Sequence, residues 1–460
     1  MRIIHTSDWH LGQFFYGKSR AAEHQAFMLW LLEQINQYQV DALIIAGDIF
    51  DTGTPPSYAR ALYNQFIVQI QQTGCQLIIL GGNHDSVSTL NESKNLLACL
   101  NTTVIPGALE QINEHVFPLH DRQGHIGAIL CGLPFLRPRD LILSESGESG
   151  TDKQRKLAEA ISDLYQECFE RANELNRTLA DPVAIVATGH LTTVGAKTSE
   201  SEREIYIGSL EAFNAAHFPA ADYIALGHIH RPQVVAKSAH IRYSGSPIAL
   251  SFDELSADNH ANKSVFLVEF EQAKLASVTP LAVPMFQTMQ VIKGDLQSID
   301  QQLAVFAPQS ALGVNTWLSI EVSGQDYLSD LQSRIADMTQ GKAIEVLQLK
   351  RARSQRQQQI NQLDNETLSE LSVAEVFARR LAQEQFDSED QQALLGRIKQ
   401  RFSQVVAEVE SELSPQHIAA SHVLQESTHT DVKQSPQQDK GHCPEPQVSV
   451  SPAIKEGPQS

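Results

Sequence analysis

The sequence predicts an α/β protein with a large domain of parallel-strand sheets flanked by helices, then a small α/β cap domain and a C-terminal helical pair. Three observations carry this. Short apolar runs alternate with stretches of helical periodicity through the first third of the chain, the pattern of parallel strands joined by crossover helices. After residue 280 a strand–helix–strand–helix–strand pattern restarts on a smaller scale. Beyond residue 350 two amphipathic stretches replace it.

Taken in order, residues 2–6 read as a short buried strand, and residues 42–46 and 77–80 are apolar runs of strand length. Between the first two, residues 21–38 place Phe27, Leu31, Leu32 and Ile35 at helical spacing. Pro56 suits the first turn of a helix running to about residue 72. Further strands are expected near 128–133, 183–188, 223–226 and 241–243, with a long helix over 153–175. Residues 265–270 look like the last strand of a domain spanning 1–280. In the cap, 281–350, strands are expected over 285–292, 316–322 and 344–350, with helices over 299–306 and 327–338. The region 351–410 opens with a charged, Gln-rich stretch and continues as helices over 368–385 and 389–409. Their apolar stripes are Leu371, Val376, Phe377 and Leu381, then Leu394, Ile398, Phe402 and Val405. Residues 411–460 hold no aromatic residue and are expected to be a disordered tail.

The formal net charge of −19 argues against a protein that holds nucleic acid through a broad basic surface. Affinity for DNA would have to come from local basic patches, bound cations or a partner. The cysteines number five, an odd count with no C-x-x-C pair, which fits free thiols in a reducing compartment. No signal-peptide stretch opens the chain. The apolar runs are far too short to span a bilayer. These features predict a soluble, cytoplasmic protein with no membrane association.

Polar motifs recur where strands should end. Asp8-Trp9-His10 follows the first strand, Gly47-Asp48-Ile49-Phe50-Asp51 the second and Gly82-Asn83-His84-Asp85 the third; Gly189-His190 and Gly227-His228-Ile229-His230 follow later ones. The carboxyl ends of parallel strands share one rim, so residues far apart in sequence can meet there. Asp, His and Asn offer oxygen and nitrogen ligands without sulfur, a set suited to Mn²⁺, Fe, Zn²⁺ or Mg²⁺. The neighbouring glycines permit tight turns and close backbone approach. Taken singly the motifs are weak: an isolated Gly-His pair is more often structural. Their joint occurrence in order is the signal. Other histidines, such as His24, His115, His120 and His217, read as surface or structural.

The ordered set D-x-H, G-D-x-x-D, G-N-H-D, G-H, G-H-x-H resembles the calcineurin-like metallophosphoesterase family, whose fold is a β-sandwich flanked by helices. The resemblance implies a pair of divalent metal ions. Asp8, His10, Asp48 and His230 would hold one; Asp48, Asn83, His190 and His228 would hold the other, with Asp48 shared. His84 would donate to a phosphoryl or leaving oxygen, and Asp51 matches a position that can orient it. Within the family the chain resembles the SbcD nucleases over residues 1–409. Supporting stretches are Phe50-Asp51-Thr52-Gly53-Thr54-Pro55-Pro56, Gly189-His190-Leu191-Thr192-Thr193-Val194-Gly195, residues 223–231 and residues 366–373. That resemblance implies Mn²⁺ as the usual cation and cleavage of double-stranded DNA ends and hairpins. It also implies a homodimer and an SbcC-type coiled-coil ABC ATPase that docks on the helices of 351–410.

Two readings compete with a nuclease: a stand-alone phosphodiesterase or phosphatase acting on a small substrate, and a non-catalytic interaction scaffold. A third pattern, Gly12 through Ser19, matches the phosphate-binding G-x-x-x-x-G-K-S loop. It starts too far beyond the first strand and carries consecutive aromatics where a phosphate would need close backbone approach. Those aromatics could line a nucleic-acid groove instead, or pack beneath the loop.

Overall fold

The computed structural model describes residues 1–109, 111–142, 149–202, 212–306, 308, 315–323 and 330–351, with Arg397, Arg401 and Phe402 beyond them. The expected C-terminal helices and tail lie outside the described residues apart from those three, which are helical. The chain divides into two units, Met1–Gln357 and Gln358–Ser460, and every element below belongs to the first.

The strands Ala42–Ala46 and Gln76–Leu80 are apolar at nearly every position because both their faces are covered. Arg2–Thr6, Ala42–Ala46, Gln76–Leu80 and Thr102–Ile105 pair in parallel. Ser264–Glu271 and then Lys274–Ala282 extend the sheet antiparallel beyond Arg2–Thr6, making six strands. A second six-stranded sheet has four parallel central strands, Ser238–Tyr243, Tyr223–Gly227, Ala184–His190 and Ile126–Cys131. Gln233–Val235 and Val116–His120 flank them antiparallel.

Alternate residues of each strand serve different cores. Ile3, Ile44, Ile78 and Leu80 meet Leu130, Val186, Tyr223 and Ala225 between the sheets. Ile4, Leu43, Ile45 and Ile79 face outward, where Phe27 and Leu31 of helix Ala21–Gln37 and Phe66 and Ile70 of helix Ser57–Gln71 cover them. Helix Gly150–Arg177 covers the second sheet through Leu157, Ile161 and Tyr165. Each such side chain contributes about 1.5–3 kcal/mol when fully buried. The result is a helix–sheet–sheet–helix sandwich, with both sets of parallel strand ends on one rim.

Residues 265–270, expected to be the last strand of the 1–280 domain, are followed by one more. Lys274–Ala282 returns beside Ser264–Glu271; it is an edge strand with alternating exposed positions and Pro280, so no continuous apolar run marks it. Pro56 precedes the helix Ser57–Gln71 as its cap instead of occupying its first turn. The segment resembling a phosphate loop is a hairpin, Phe14–Phe15 against Lys18–Ser19. Tyr16 and Gly17 both take positive φ, as a two-residue hairpin turn requires.

The cap is a parallel sheet of Met289–Gly294, Thr316–Val322 and Ile344–Arg351. Helices Leu296–Leu303 and Leu331–Thr339 bury Ile299, Leu303 and Ile335 against its Ile292, Leu318 and Ile320. It packs on the sandwich through Trp317 and Met289, which meet Phe15, Ala249 and Phe252. The Phe15 and Trp317 rings stack at 5.6 Å, with the buried Arg20 guanidinium against both and paired to Glu23.

Candidate metal centre

Each motif residue stands at or just past the end of a strand, and the backbone at several of them is bent to aim the side chain. Asp8, His10, Asp48 and His228 all have positive φ, a conformation that non-glycine residues adopt rarely and that clusters at functional sites. The glycines are required by contact as well as by turn geometry. A Cβ on Gly82 would stand 2.1 Å from Asp48 Oδ1, and one on Gly47 2.2 Å from His190 Nδ1.

The loops brace one another. The Asp85 carboxylate accepts from the backbone of Gly82 (2.8 Å), Ile49 (3.1 Å) and Phe50 (2.9 Å), locking the third-strand loop onto the second. His84 N donates to Asp48 Oδ1 at 2.9 Å, and His228 N donates to Asp8 Oδ1 at 2.9 Å. The last bond joins the two sheets at the rim.

Hydrogen bonds also set which ring nitrogen faces inward. His190 Nδ1 lies 2.9 Å from the Ala46 carbonyl, which can only accept, so Nδ1 carries the proton and Nε2 faces Asp48 and Asn83. His10 Nδ1 lies 3.2 Å from Asp51 Oδ1, which turns Nε2 toward Asp48. His84 Nδ1 lies 2.8 Å from the Asp51 carbonyl. Asp51 therefore holds two histidines, His84 through its main chain and His10 through its carboxylate; the second contact has no counterpart in the sequence reading.

At the centre, Asp48 Oδ2 is 3.3 Å from His190 Nε2 and 3.6 Å from His10 Nε2, aligned for a hydrogen bond with neither. Asp48 Oδ2 and His10 Nε2 are both buried without a hydrogen-bond partner. Asn83 Oδ1 sits 2.9 Å from His190 Nε2 and 3.1 Å from His228 Nδ1. Buried polar atoms left so are costly, and here they converge. Ligand atoms of Asp8, His10 and His230 lie within 4.8 Å of one another, as do those of Asp48, His190 and His228, and those of His10, Asp48 and His84. This donor set fits divalent cations: its orphaned lone pairs point at common centres and Asp48 belongs to two of the three groups. All the residues singled out in sequence (Asp8, His10, Asp48, Asp51, Asn83, His84, His190, His228, His230) are brought together at this rim.

The charges agree. Burial lowers the affinity of His190 for a proton, but Asp48 and Asp8 outweigh it and raise its pKa to about 9. Burial also opposes ionisation of Asp48, yet His190, His10 and His84 hold its pKa well below the usual carboxylate value. Burial, with neighbouring positive charge, keeps His228 and His230 neutral, His228 at about 3. Without cations the carboxylates draw a proton onto His190, the sign of a pocket that demands positive charge.

A supporting layer escaped the sequence reading. Ser201 and Glu202 hydrogen-bond His230, and Glu254 and the buried Lys263 stand behind them. No short motif announces these residues, because they come from separate segments that meet only in the fold. Asp85 was visible as the last letter of G-N-H-D, but its bracing role was not.

A family model for calcineurin-like phosphoesterases matches residues 1–232, half of the chain. A second, described as a type 5 capsule protein repressor C-terminal domain, matches 285–385. The SbcD subunit of nuclease SbcCD from Escherichia coli (strain K12) is 54% identical over 394 residues, covering 86% of this chain and 96% of that protein. Its counterpart from Bacillus subtilis (strain 168) is 31% identical over 73% of this chain and 80% of its own length. The one from Rhodobacter capsulatus is 38% identical over 56% of this chain and 65% of its own length. The chain belongs to the calcineurin-like phosphoesterase family and, within it, to the SbcD subunits of SbcCD nucleases.

Proposed function

We propose that the chain is the metal-dependent DNA nuclease subunit of an SbcC–SbcD-type complex, hydrolysing phosphodiester bonds at DNA ends and in hairpins. The observation that carries the reading is the convergence of buried, hydrogen-bond-orphaned atoms on Asp48 Oδ2. Asp8, His10, Asp48 and His230 would hold one cation; Asp48, Asn83, His190 and His228 would hold the other. The donor set suits Mn²⁺ and is also compatible with Mg²⁺, Fe and Zn²⁺. A bound pair of cations activates the attacking water and neutralises charge on the phosphoryl group.

The protein's own groups supply the rest. His84 gives its Nδ1 proton to the Asp51 carbonyl and presents Nε2 to the cleft. Protonated there, it donates to a phosphoryl oxygen or to the leaving oxygen. The Asp51 carboxylate keeps His10 in register. The cleft of about 360 Å³ also holds Phe14 and Tyr16, which are 58% and 48% exposed. Exposed rings beside a phosphodiester site can stack on bases, which favours a polynucleotide over a small ester.

The relatives are named as SbcD subunits of the nuclease SbcCD, and this chain is proposed to pair likewise with an SbcC-type coiled-coil ABC ATPase through residues 351–410. It would act on double-stranded and hairpin DNA as a homodimer in the cytoplasm, with ATP hydrolysis by the partner gating the cleavage of ends.

Purified protein with Mn²⁺ should cleave hairpin DNA, and Asp48→Ala should not. Activity confined to a chromogenic phosphodiester would instead favour a stand-alone phosphodiesterase. Absence of bound cation from both proteins at excess Mn²⁺ would leave only a scaffold.

A further inference from the structure

His230 is held from behind by a chain of polar groups. Its Nδ1 lies 2.6 Å from Ser201 Oγ, which lies 2.6 Å from Glu254 Oε1. Glu254 Oε2 pairs with Lys263 Nζ at 2.5 Å, and the two side chains are 0% and 2% exposed. Lys263 Nζ also donates to the His230 carbonyl at 2.7 Å and to Ser246 Oγ at 2.7 Å. Glu202 Oε1 accepts from His230 N at 2.7 Å, so both the ring and the main chain of this residue are fixed by one short segment.

The direction of the protons along this chain is determined. A carboxylate paired with an ammonium only accepts, so Ser201 gives its single hydroxyl proton to Glu254. Ser199 Oγ, 2.8 Å from Ser201, has its own acceptor in Glu202 Oε2 at 2.6 Å. Ser201 Oγ must then accept at Nδ1 of His230. That nitrogen carries the proton, and Nε2 keeps its lone pair for the group formed with Asp8 and His10. His190 and His10 reach the same state through a main-chain carbonyl and Asp51; His230 depends on a relay of side chains from elsewhere in the sequence.

We propose that Ser201, oriented by the buried Glu254–Lys263 pair, is a positioning residue that fixes the tautomer of His230 and so sets the affinity of one of the two cation sites. The inference rests on the metal-centre reading above. The neighbouring Glu200 pairs with Lys350 of the last cap strand at 3.0 Å. That pair is exposed, and such pairs contribute little, so the relay backed by the buried Glu254–Lys263 pair carries the effect and the cap contact does not.

Mn²⁺ titration of the full chain by calorimetry tests this. Wild type should take up two ions. Ser201→Ala should weaken one site by about 10–100-fold, the usual cost of losing a partner behind a ligand, and leave the other unchanged; Ser201→Thr should restore it. A ¹⁵N-histidine spectrum of the metal-free wild type reads the tautomer directly, without any variant, and should show His230 protonated at Nδ1. Unchanged titration by Ser201→Ala, equal weakening of both sites, or a His230 protonated at Nε2 would overturn the relay. Failure of the wild type to take up Mn²⁺ at all would sink the metal-centre reading itself, and the relay with it.

Discussion

At the rim the ligand-bearing strand ends of one sheet press against those of the other, and Gly227→Ala probes that contact. Gly227 ends a strand of the second sheet; a Cβ there would stand 1.9 Å from the Ala46 carbonyl oxygen of the first and 2.9 Å from His190 Nδ1. Carbon and carbonyl oxygen tolerate approach to about 3.3 Å, so the strands must part by about 1.4 Å. Ala46 O is also the acceptor that orients His190, and Gly227 adjoins His228, so the wedge acts on two ligands at once. Overpacking of this kind costs about 1–3 kcal/mol in stability. Displacing a reacting group by about 1 Å costs about 10²-fold in rate. The variant should melt a few degrees lower, bind Mn²⁺ weakly and cleave hairpin DNA at least about 10²-fold more slowly. Gly124→Ala is the control: Gly124 has a positive φ, which Gly227 lacks, but a Cβ there meets nothing within 4 Å. It should lose about 1–2 kcal/mol from backbone strain and keep full activity. Wild-type Mn²⁺ uptake and cleavage by Gly227→Ala would refute the claim that close packing of the sheets assembles the centre.

Two further outcomes are expected. His84→Ala should retain both cations and lose about 10²–10⁴-fold in single-turnover cleavage; loss of a cation in the titration would make His84 a ligand instead. His5, wholly buried between Tyr223 OH and the Leu226 carbonyl, has its pKa lowered to about 3 by burial. The unfolded chain takes up a proton below about pH 6.5 that the folded protein refuses, so stability falls as pH falls, by up to about 1.4 kcal/mol per pH unit. Urea melts between pH 7 and pH 4 should show a shallower loss in His5→Gln; parallel curves would show that His5 does not contribute.

The ligands were legible because each sits within a few residues of a strand end, and strand ends are the part of an α/β fold that an apolar run marks best. Burial of both sheet faces made the runs at residues 42–46 and 77–80 conspicuous. The same physics hid the edges: Lys274–Ala282 and Val116–His120 are half exposed and carry Pro280 and Pro118, so their composition resembles that of loops. The Phe14–Ser19 hairpin was ambiguous because glycine at a turn serves a phosphate loop and a hairpin alike. Ser201, Glu254 and Lys263 were illegible for a different reason. A serine, a glutamate and a lysine acquire a joint role only when segments about fifty residues apart in sequence are brought into contact, and nothing local encodes that contact.

The net charge of −19 remains to be reconciled with a polyanionic substrate. Among the described residues lining the cleft there is no lysine or arginine, while Asp51 and Glu200 are there and Asp8 and Asp48 lie beneath. Bare, this surface would repel a phosphodiester. Two divalent cations held by Asp8 and Asp48 would reverse its sign at the point of attack, in a buried setting where salt screens poorly. On the proposed reading, an acidic chain with such a cleft would hold only the scissile phosphate, through its cations, and would leave the grip on flanking DNA to aromatic stacking and to a partner. This division accounts for a nuclease that is acidic overall and is built as one component of a larger assembly.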